Sequence, residues 1–278
     1  MSLIDNYVPI SSQRHLCLVN KRCLENKLYF KNLYYKLYNS IGRCKKKGNI
    51  LTNNKFKGNK KMYRLIDNFF LKNIPFQIES QEYDPNRSSF INLIFYKNGI
   101  YSYILSTHGT FIGKKYICTN KFIHDLENGN RCFIFNMPLG SLVNSISIHH
   151  RDNNKYIKAA GTFGILINRE ESLIEIRLPS FRLKKKQKKN KLKSILRCTM
   201  FSYGTLGRVS NIYNNQTILG KAGRSFYLGR KPHVRGVVMN PVDHPHGGGE
   251  GKKSKKATPV NATGSIIKYS RRFKRKKN

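Results

Sequence analysis

The stretch from Gly229 to Lys256, GRKPHVRGVVMNPVDHPHGGGEGKKSKK, gathers residue types that can do chemistry. It contains three consecutive glycines, and its imidazoles and carboxylates are those of His233, His244, His246, Asp243 and Glu250. Such residues serve in metal centres, in hydrolytic active sites, and in segments whose backbone lies against a large polyanion. Their spacing and the surrounding charge decide between these three kinds of site.

A metal centre would use His244 and His246, two residues apart, with Asp243 and Glu250 completing the ligand set. Pro245 and the glycines make this stretch irregular, however. Cationic or imidazole side chains that would repel a divalent ion surround it, namely Arg230, Lys231, His233, Arg235, Lys252 and Lys253. We therefore expect no metal ion and no other cofactor.

Hydrolysis would use His244 as a base oriented by Asp243, but no nucleophile stands in a recognisable context. A nucleophile elbow of the G-x-S-x-G kind is missing. These residues therefore do not favour a hydrolytic active site.

A segment shaped for a polyanion accounts for more of the residues. Gly247, Gly248 and Gly249 have no Cβ, so the backbone can approach a ligand closely and adopt positive φ. Asn240-Pro241 and His244-Pro245 favour turns over paired strands. Imidazoles can hydrogen-bond phosphates and ribose hydroxyls or stack on bases. Such a segment would have little core of its own, and insertion into folded RNA suits it best.

Charge favours a nucleic-acid partner for the whole chain. The 278 residues carry 53 Lys+Arg against 14 Asp+Glu, a formal net charge of +39. An anionic membrane is the other candidate, but no apolar run approaches the roughly 20 residues that span a bilayer. The run from Arg182 to Lys193 has eight Lys/Arg, and no acid occurs between Glu175 and Asp243. A solvated loop and a polyanion-facing surface both fit this run, and its acid-free flanks favour the surface.

The six cysteines have no C-x-x-C pair, which argues against a zinc ribbon and a disulfide framework and favours reduced thiols. They are Cys17, Cys23, Cys44, Cys118, Cys132 and Cys198. The N-terminus has neither a secretory apolar core nor the composition of a transit peptide, so we expect no import signal. Heavy use of Asn, Lys, Ile and Tyr without Trp is typical of AT-rich codons, as in an organelle that translates its own genes.

Short β-type runs begin at Met62: MYRLID, FQIESQEYD, FINLIFY and YSYIL. Asn98-Gly99 between the last two runs predicts a type I′ hairpin, and Asp84-Pro85 opens a turn. Closely spaced strands without long helices indicate a small barrel of the oligonucleotide-binding type.

A second β block predicts a second small barrel. GSLVNSISIHH alternates, with Leu142, Asn144, Ile146 and Ile148 on one face. GTFGILINREESLIEIRLP indicates another hairpin, with its turn at Asn168 to Ser172. Before both blocks, residues 1–59 are basic and irregular. Within them, Leu24 to Ile41 has a helix-like apolar spacing that fits equally an arm ordered only against a partner.

RKPHVRGVVMNPVDHPHGGGEGK resembles the signature of the large-subunit ribosomal proteins of the L-two family. YRLID…EYDPNRSSFINLIFYKNGIYSYIL resembles the same family's N-terminal barrel, and LGKAGRSFYLGRKP matches the approach to the signature. The likeness runs from about Lys57 to Ser254 and is weak around the lysine run. The residues from Met1 to about Asn49 are not recognisable, and the tryptophans usual near the signature are absent, with Phe226 or Tyr227 as possible replacements.

The resemblance implies a mainly β fold: an oligonucleotide-binding-type barrel, then an SH3-like barrel, with extended basic N- and C-terminal arms. We expect an arm at 1–56, the barrels at 57–125 and 126–208, and an RNA-penetrating region at 209–278. The expected RNA-binding residues are Arg87, Lys221, Arg224, Arg230, Lys231, His233, Arg235, Asn240, Asp243, His244, His246, Gly247, Gly248, Gly249, Glu250, Lys252 and Lys253.

The family implies a structural constituent of the large ribosomal subunit that binds ribosomal RNA and supports the peptidyl transferase centre and the association of subunits and tRNA. A histidine at the His244 position has been proposed to take part in peptide-bond formation, but RNA is the catalyst and a supporting role is expected. The resemblance therefore implies a protein that is not an enzyme and has no small-molecule substrate. The partners are then large-subunit ribosomal RNA and neighbouring ribosomal proteins, without a membrane and without homo-oligomerisation. The departures of this sequence from the family pattern and its amino-acid composition favour a ribosome in the mitochondrial matrix, with a plastid or a bacterial cytoplasm as alternatives.

Two other classes remain open from the residues alone. A single-strand nucleic-acid-binding protein outside the ribosome would also use a basic oligonucleotide-binding barrel, but it needs no histidine-glycine insertion. A metal-dependent hydrolase would need a bound metal.

Overall fold

A computed structural model describes residues 30–36, 42–44, 48, 50–52, 54–121, 127–149, 153–170, 172–179, 195–217, 219–220, 222–251 and 258–267. The protein is mainly β, as predicted from the sequence. Its contacts divide it into two compact units. The first unit comprises residues 1–37 and 61–220, and the second comprises residues 38–60 and 221–278. Residues 1–29 and 182–193 are not among the described residues, so the predictions for the far N-terminus and the lysine run are not addressed by the structure.

The regular elements of the described residues are short. The strands are β1 (Tyr34–Lys36), β2 (Met62–Arg64), β3 (Pro75–Glu82), β4 (Ile91–Tyr96), β5 (Tyr101–Leu105), β6 (Lys115–Thr119), β7 (Arg131–Phe133), β8 (Leu142–Asn144), β9 (Gly164–Arg169), β10 (Leu173–Arg177), β11 (Ile195–Thr199) and β12 (Tyr203–Leu206). The helix α1 spans Ala222–Tyr227, and 3-10 turns occupy Lys31–Leu33, Ile134–Asn136, Ile212–Gln216 and Gly236–Val238. Among these helices, none has the length and apolar character to cross a membrane.

The strands β3 to β12 of the first unit form one sheet in the order β11-β10-β9-β8-β12-β7-β6-β3-β4-β5. Neighbouring strands are antiparallel except β6 and β7, which pair in parallel through Cys118↔Arg131 and Thr119↔Cys132. This parallel pair joins the half built from β3–β6 to the half built from β7–β12. The strands β1 and β2 form a separate antiparallel pair. The predicted boundaries of the two barrels stay a prediction.

Each half of the sheet has its own apolar core. The core of the first half contains Phe76 and Ile78 of β3 with Ile94 and Tyr96 of β4. Phe76 and Ile78 are buried because β3 alternates strictly between its two faces. The core of the second half gathers aliphatic and sulfur side chains of β7–β12 and of the segments between them: Cys132, Ile134, Met137, Val143, Ile146, Leu166, Ile174, Ile176 and Cys198. The two predicted β blocks therefore each bury a core.

Both predicted hairpins are confirmed. The strands β4 and β5 pair from Ile91↔Leu105 to Phe95↔Tyr101, and β9 pairs with β10. The first turn differs from the predicted type I′ because only Gly99 has a positive φ, 82°, whereas Asn98 does not. The Gly99 amide donates to Tyr96 O, and the Tyr96 amide donates to Ile100 O. This is a three-residue loop closed by a left-handed glycine.

One sequence prediction is wrong. The alternation predicted from Leu142 to Ile148 stops at Asn144, because Ser145 takes a φ of 49° and the strand ends there. Every residue from Val143 to Ser147 is buried as a result. The sequence of residues 24–41 fits both a helix and an arm. The described residues among them, 30–36, form a single 3-10 turn followed by β1, and Tyr34 binds the Tyr103 hydroxyl at 2.9 Å.

The second unit pairs a segment before the barrels with a segment after them. The Phe56 amide donates to Gly229 O at 2.9 Å, and the Asn59 amide donates to Tyr227 O at 3.0 Å. The rings of Phe56 and Phe226 stack with centroids 4.2 Å apart. Gly229, with φ 85°, fits here because a Cβ would lie 2.7 Å from Phe56 O. Residues 54–59 thus support the start of the histidine-containing segment.

Candidate nucleic-acid interface

The second unit is strongly basic and has almost no core. Asp243 and Glu250 are its only acidic residues, and both are exposed. Among its described residues, Val260 is the one buried apolar side chain, at 6% exposure, and His244 is the one buried polar side chain, at 9%. The expectation that this segment has little core of its own is therefore confirmed for the described residues.

The His244 side chain organises the loop around it. Its Nδ1 accepts a hydrogen bond from the His246 amide at 3.0 Å, and its own amide donates to Asn240 O at 3.2 Å. A ring whose Nδ1 accepts carries its proton on Nε2 when it is neutral. His244 therefore acts first as an internal acceptor that closes the turn, and its Nε2 is the ring atom left to donate elsewhere.

The second imidazole ties this loop to the following segment. His246 Nε2 accepts from the Val260 amide at 3.2 Å. The His244 and His246 rings lie 4.9 Å apart between centroids, tilted by 52°. Both imidazoles therefore tie backbone segments together, and Val260 is buried beside them.

The glycines of this segment have different roles. A Cβ on Gly247 would lie 2.5 Å from Met239 O, and a Cβ on Gly236 would lie 2.5 Å from His244 Nδ1. Both residues are therefore required for packing within the chain. Gly248 has a φ of 77°, a conformation that favours glycine. The positive φ expected for the glycine run is thus found at Gly248.

The remaining predicted residues of the second unit are mostly at its surface. Arg224 lies half-buried in α1. Lys231 extends over the Phe56 ring, with Nζ 4.9 Å from its centroid. Lys221, Lys252 and Lys253 lie outside the described residues. The exposed members are Arg230, Lys231, His233, Arg235, Asn240, Asp243, Gly248, Gly249 and Glu250.

Arg87 belongs to the first unit, apart from the other predicted residues. Its Nε lies 2.6 Å from Asp84 Oδ2, and the Asp84 side chain is completely buried. Asp84 also accepts from the Asn86 amide at 2.9 Å, so the Asp84-Pro85 turn holds the arginine in place. Arg87 lines a cavity of about 60 Å³ together with Lys158 and Asn154.

Two cations near this cavity were missed by sequence reasoning. Arg131 is fully buried, and it donates to Asn154 Oδ1 at 2.7 Å and to Ser145 O at 3.2 Å. Burial lowers the pKa of the Arg131 guanidinium. Burial also lowers the pKa of Lys158, and the charges of Arg87 and Arg131 lower it further. Three cations thus approach one another in the first unit, an arrangement that an anionic group would stabilise. The sequence signal was weak because they are far apart in the chain.

Metal ligation has little support among the described residues, where no three His, Cys, Asp or Glu side chains come together. The buried thiols are poor ligands as well, because burial raises the pKa of Cys118 to about 11 and the pKa values of Cys132 and Cys198 to about 12.

Comparison with known proteins agrees with this geometry. Residues 30–118 match the family model "Ribosomal Proteins L2, RNA binding N-terminal domain", and residues 127–264 match "Ribosomal Proteins L2, C-terminal domain". Proteins named "Large ribosomal subunit protein uL2" are similar over most of their length. The one from Rhodospirillum rubrum is 36% identical over 276 residues, covering 99% of this chain and 94% of the relative. The one from Phenylobacterium zucineum is 37% identical over 267 residues, covering 95% and 90%.

These matches define a ribosomal protein of the bacterial type. The chain belongs to the ribosomal protein L2 family. The resemblance predicted from the signature is thereby confirmed, and it extends further than predicted. The N-terminal family model begins at residue 30, within the part that was not recognisable from the sequence.

Proposed function

We propose that this protein is a structural constituent of the large ribosomal subunit that binds ribosomal RNA and contacts neighbouring ribosomal proteins. Family membership supports this role over a free single-strand-binding protein and over a metal-dependent hydrolase. The coarse location is accordingly the ribosome. The role is one of positioning, and the chain is not proposed to be an enzyme.

The observation that carries the proposal is the second unit. It is rich in Lys and Arg, has two acidic residues, and buries only two side chains among its described residues. A segment of this kind gains its remaining contacts from a polyanionic partner. Folded RNA offers both the phosphates and the depth for such a segment.

The first unit supplies a second RNA contact in this proposal. Arg87 and Lys158 would hold a phosphate group at the mouth of the cavity that they line. The Asp84 carboxylate orients Arg87 for this purpose. The buried Arg131 adds positive potential but is enclosed by the protein.

His244 has a supporting role in this proposal. Its Nδ1 is committed to the His246 amide and its ring is buried, so its first task is to shape the loop from Asp243 to Glu250. The exposed Asp243, Gly248, Gly249 and Glu250 then present backbone and carboxylate groups to the RNA of the peptidyl transferase region. The chemistry there belongs to the RNA.

Sedimentation tests the function directly. A tagged copy of the protein should co-migrate with large ribosomal subunits on a sucrose gradient, and its free form should bind large-subunit ribosomal RNA with a steep salt dependence. For six to ten phosphate contacts, the affinity for duplex DNA falls roughly 10³- to 10⁵-fold between about 50 and 200 mM salt, and the RNA should show the same sign. Binding that hardly changes with salt, or a protein that stays at the top of the gradient, would refute the proposal.

The phosphate contact in the first unit has its own variants. Lys158→Met should weaken RNA binding and reduce the salt slope by about one. Lys97→Met, which removes an exposed lysine from the β4–β5 turn, is the matched control and should have a smaller effect. Equal effects of the two variants would mean that Lys158 contributes only general charge.

The proposed compartment is the mitochondrion, with the protein in matrix ribosomes. The support is compositional: the chain has no Trp, 16 Tyr, and a heavy use of Asn, Lys and Ile. The relatives named above are bacterial, and a bacterial cytoplasm is the alternative. Fractionation of the source cells with an antibody to the protein separates these: recovery with organellar ribosomes supports the proposal, and recovery with cytosolic ribosomes overturns it.

A further inference from the structure

The second unit contains a cavity of about 410 Å³ beside the two paired imidazoles. His244 and His246 form one wall. Its apolar lining comes from three separate stretches of this unit: Leu51, Val234, Met239, Pro259, Val260 and Ile267. A concave, largely apolar cavity with a few polar groups is the usual form of a small-ligand site.

We infer that this cavity holds one unstacked nucleobase of the bound RNA. This inference rests on the proposed function, because it names the part of the RNA that the second unit recognises. The charge of the second unit indicates the kind of occupant. The unit has 2 acidic residues and a large excess of Lys and Arg, and it therefore attracts a polyanion. The part of an RNA chain that suits an apolar cavity is a base that has left its stack.

The histidines fit this occupant. Because His244 Nδ1 and His246 Nε2 both accept backbone N–H groups, each ring is fixed in orientation and presents a planar wall. Bases stack on such rings, and the His244 Nε2–H can donate to an acceptor on a base edge. The backbone phosphates of the same nucleotide would remain outside, near the basic residues of the unit.

The apolar walls are poorly covered by the protein itself. Leu51 is 62% exposed and Ile267 is 69% exposed, although both line the cavity. Neither side chain is therefore needed for the unit's own packing. Contact with a base would give both side chains a role in the complex. Both residues can therefore be mutated without loss of the fold.

Binding of the full chain to large-subunit ribosomal RNA tests the inference. The double variant Leu51→Ser/Ile267→Ser should lower the affinity at least about fivefold, because two apolar side chains would no longer be buried against the base. The slope of affinity against salt should stay unchanged, because no phosphate contact is removed. Val242→Ser, at a residue 91% exposed in the same unit and outside the cavity, is the matched control and should bind like the wild type.

A photoreactive leucine analogue at position 51 identifies the occupant in assembled large subunits. A cross-link to a single nucleotide supports the inference. A cross-link to a protein side chain, or wild-type affinity of the double variant, overturns it while the proposed ribosomal function stands. If the wild-type chain itself neither binds the RNA nor enters the subunit, the proposed function fails as well, so the two failures are distinguishable.

Discussion

Replacement of His244 separates its structural role from a chemical one. His244→Ala removes the acceptor of the His246 amide, which lies in a part-buried position. An amide left without an acceptor in such a position costs about 1–2 kcal/mol. That cost corresponds to roughly a fivefold to thirtyfold increase in local opening. The loop should loosen by this factor before any RNA is bound.

Two further variants identify the atom responsible. His244→Asn places an amide oxygen near the position of Nδ1 and should restore the hydrogen bond from His246. His244→Gln places its amide near the position of Nε2 and should not. Gly236, against which the ring packs, is unchanged in all three variants. A structural role therefore predicts that Asn, and not Gln, resembles the wild type.

Hydrogen exchange of the His246 amide in the full chain measures the opening, and peptide-bond formation by purified subunits measures the functional effect. We expect exchange to accelerate in the Ala and Gln variants and to stay near the wild-type rate in Asn, with assembly following the same order. Unchanged exchange in His244→Ala would refute the structural reasoning. Fully assembled Ala particles that lose several orders of magnitude in the chemical step alone would instead give His244 a direct role.

Three further predictions address the glycines, the thiols and the metal. Gly247→Ala should block assembly because its Cβ would lie 2.5 Å from Met239 O. The control is Gly223→Ala in α1, whose Cβ would have its nearest neighbour at 3.8 Å, and it should be neutral or slightly stabilising. Sucrose gradients compare the assembly of the two variants, and urea melts compare their stability. Because the pKa values of Cys118, Cys132 and Cys198 are raised in the folded protein, the unfolded chain loses these thiol protons at lower pH. The free energy of unfolding should therefore fall as the pH rises from about 9 to 11. Equal urea midpoints across this range would contradict the prediction. Elemental analysis should find no stoichiometric zinc, and one tightly held ion per chain would revive the hydrolase alternative.

The features that could be predicted from the sequence are those that depend on residues close together in the chain. The alternation in β3 and the turn residues around Gly99 determine the strands and the hairpin, because each depends on residues only a few positions apart. The same holds for the exposed basic residues of the second unit. Even there, the turn type was wrong, since a dipeptide that tolerates positive φ at two positions uses it at one.

The features that it missed depend on contacts between distant residues. Ser145 adopts its positive φ within a run that alternates like a strand, and no residue type in the sequence marks it. The pairing of residues 54–59 with 226–231 joins two polar segments more than 160 residues apart, without an apolar period in either. The two terminal nitrogens of buried Arg131 donate to Asn154, Ser145 and Thr205, which only the fold brings together.

The two units also differ in the interactions that stabilise them. The first unit buries three apolar clusters and pairs charged groups in its interior, as where Arg64 meets Glu82 at 3.0 Å. Among described residues, the second unit has two buried side chains and a loop closed by its own imidazoles. Hydrophobic burial of that extent is small beside the entropy of ordering the backbone and the repulsion among the cations. In the proposed function, the RNA supplies the contacts that the second unit lacks. The histidines and glycines then fix the local backbone path, and the polyanion fixes where that path lies.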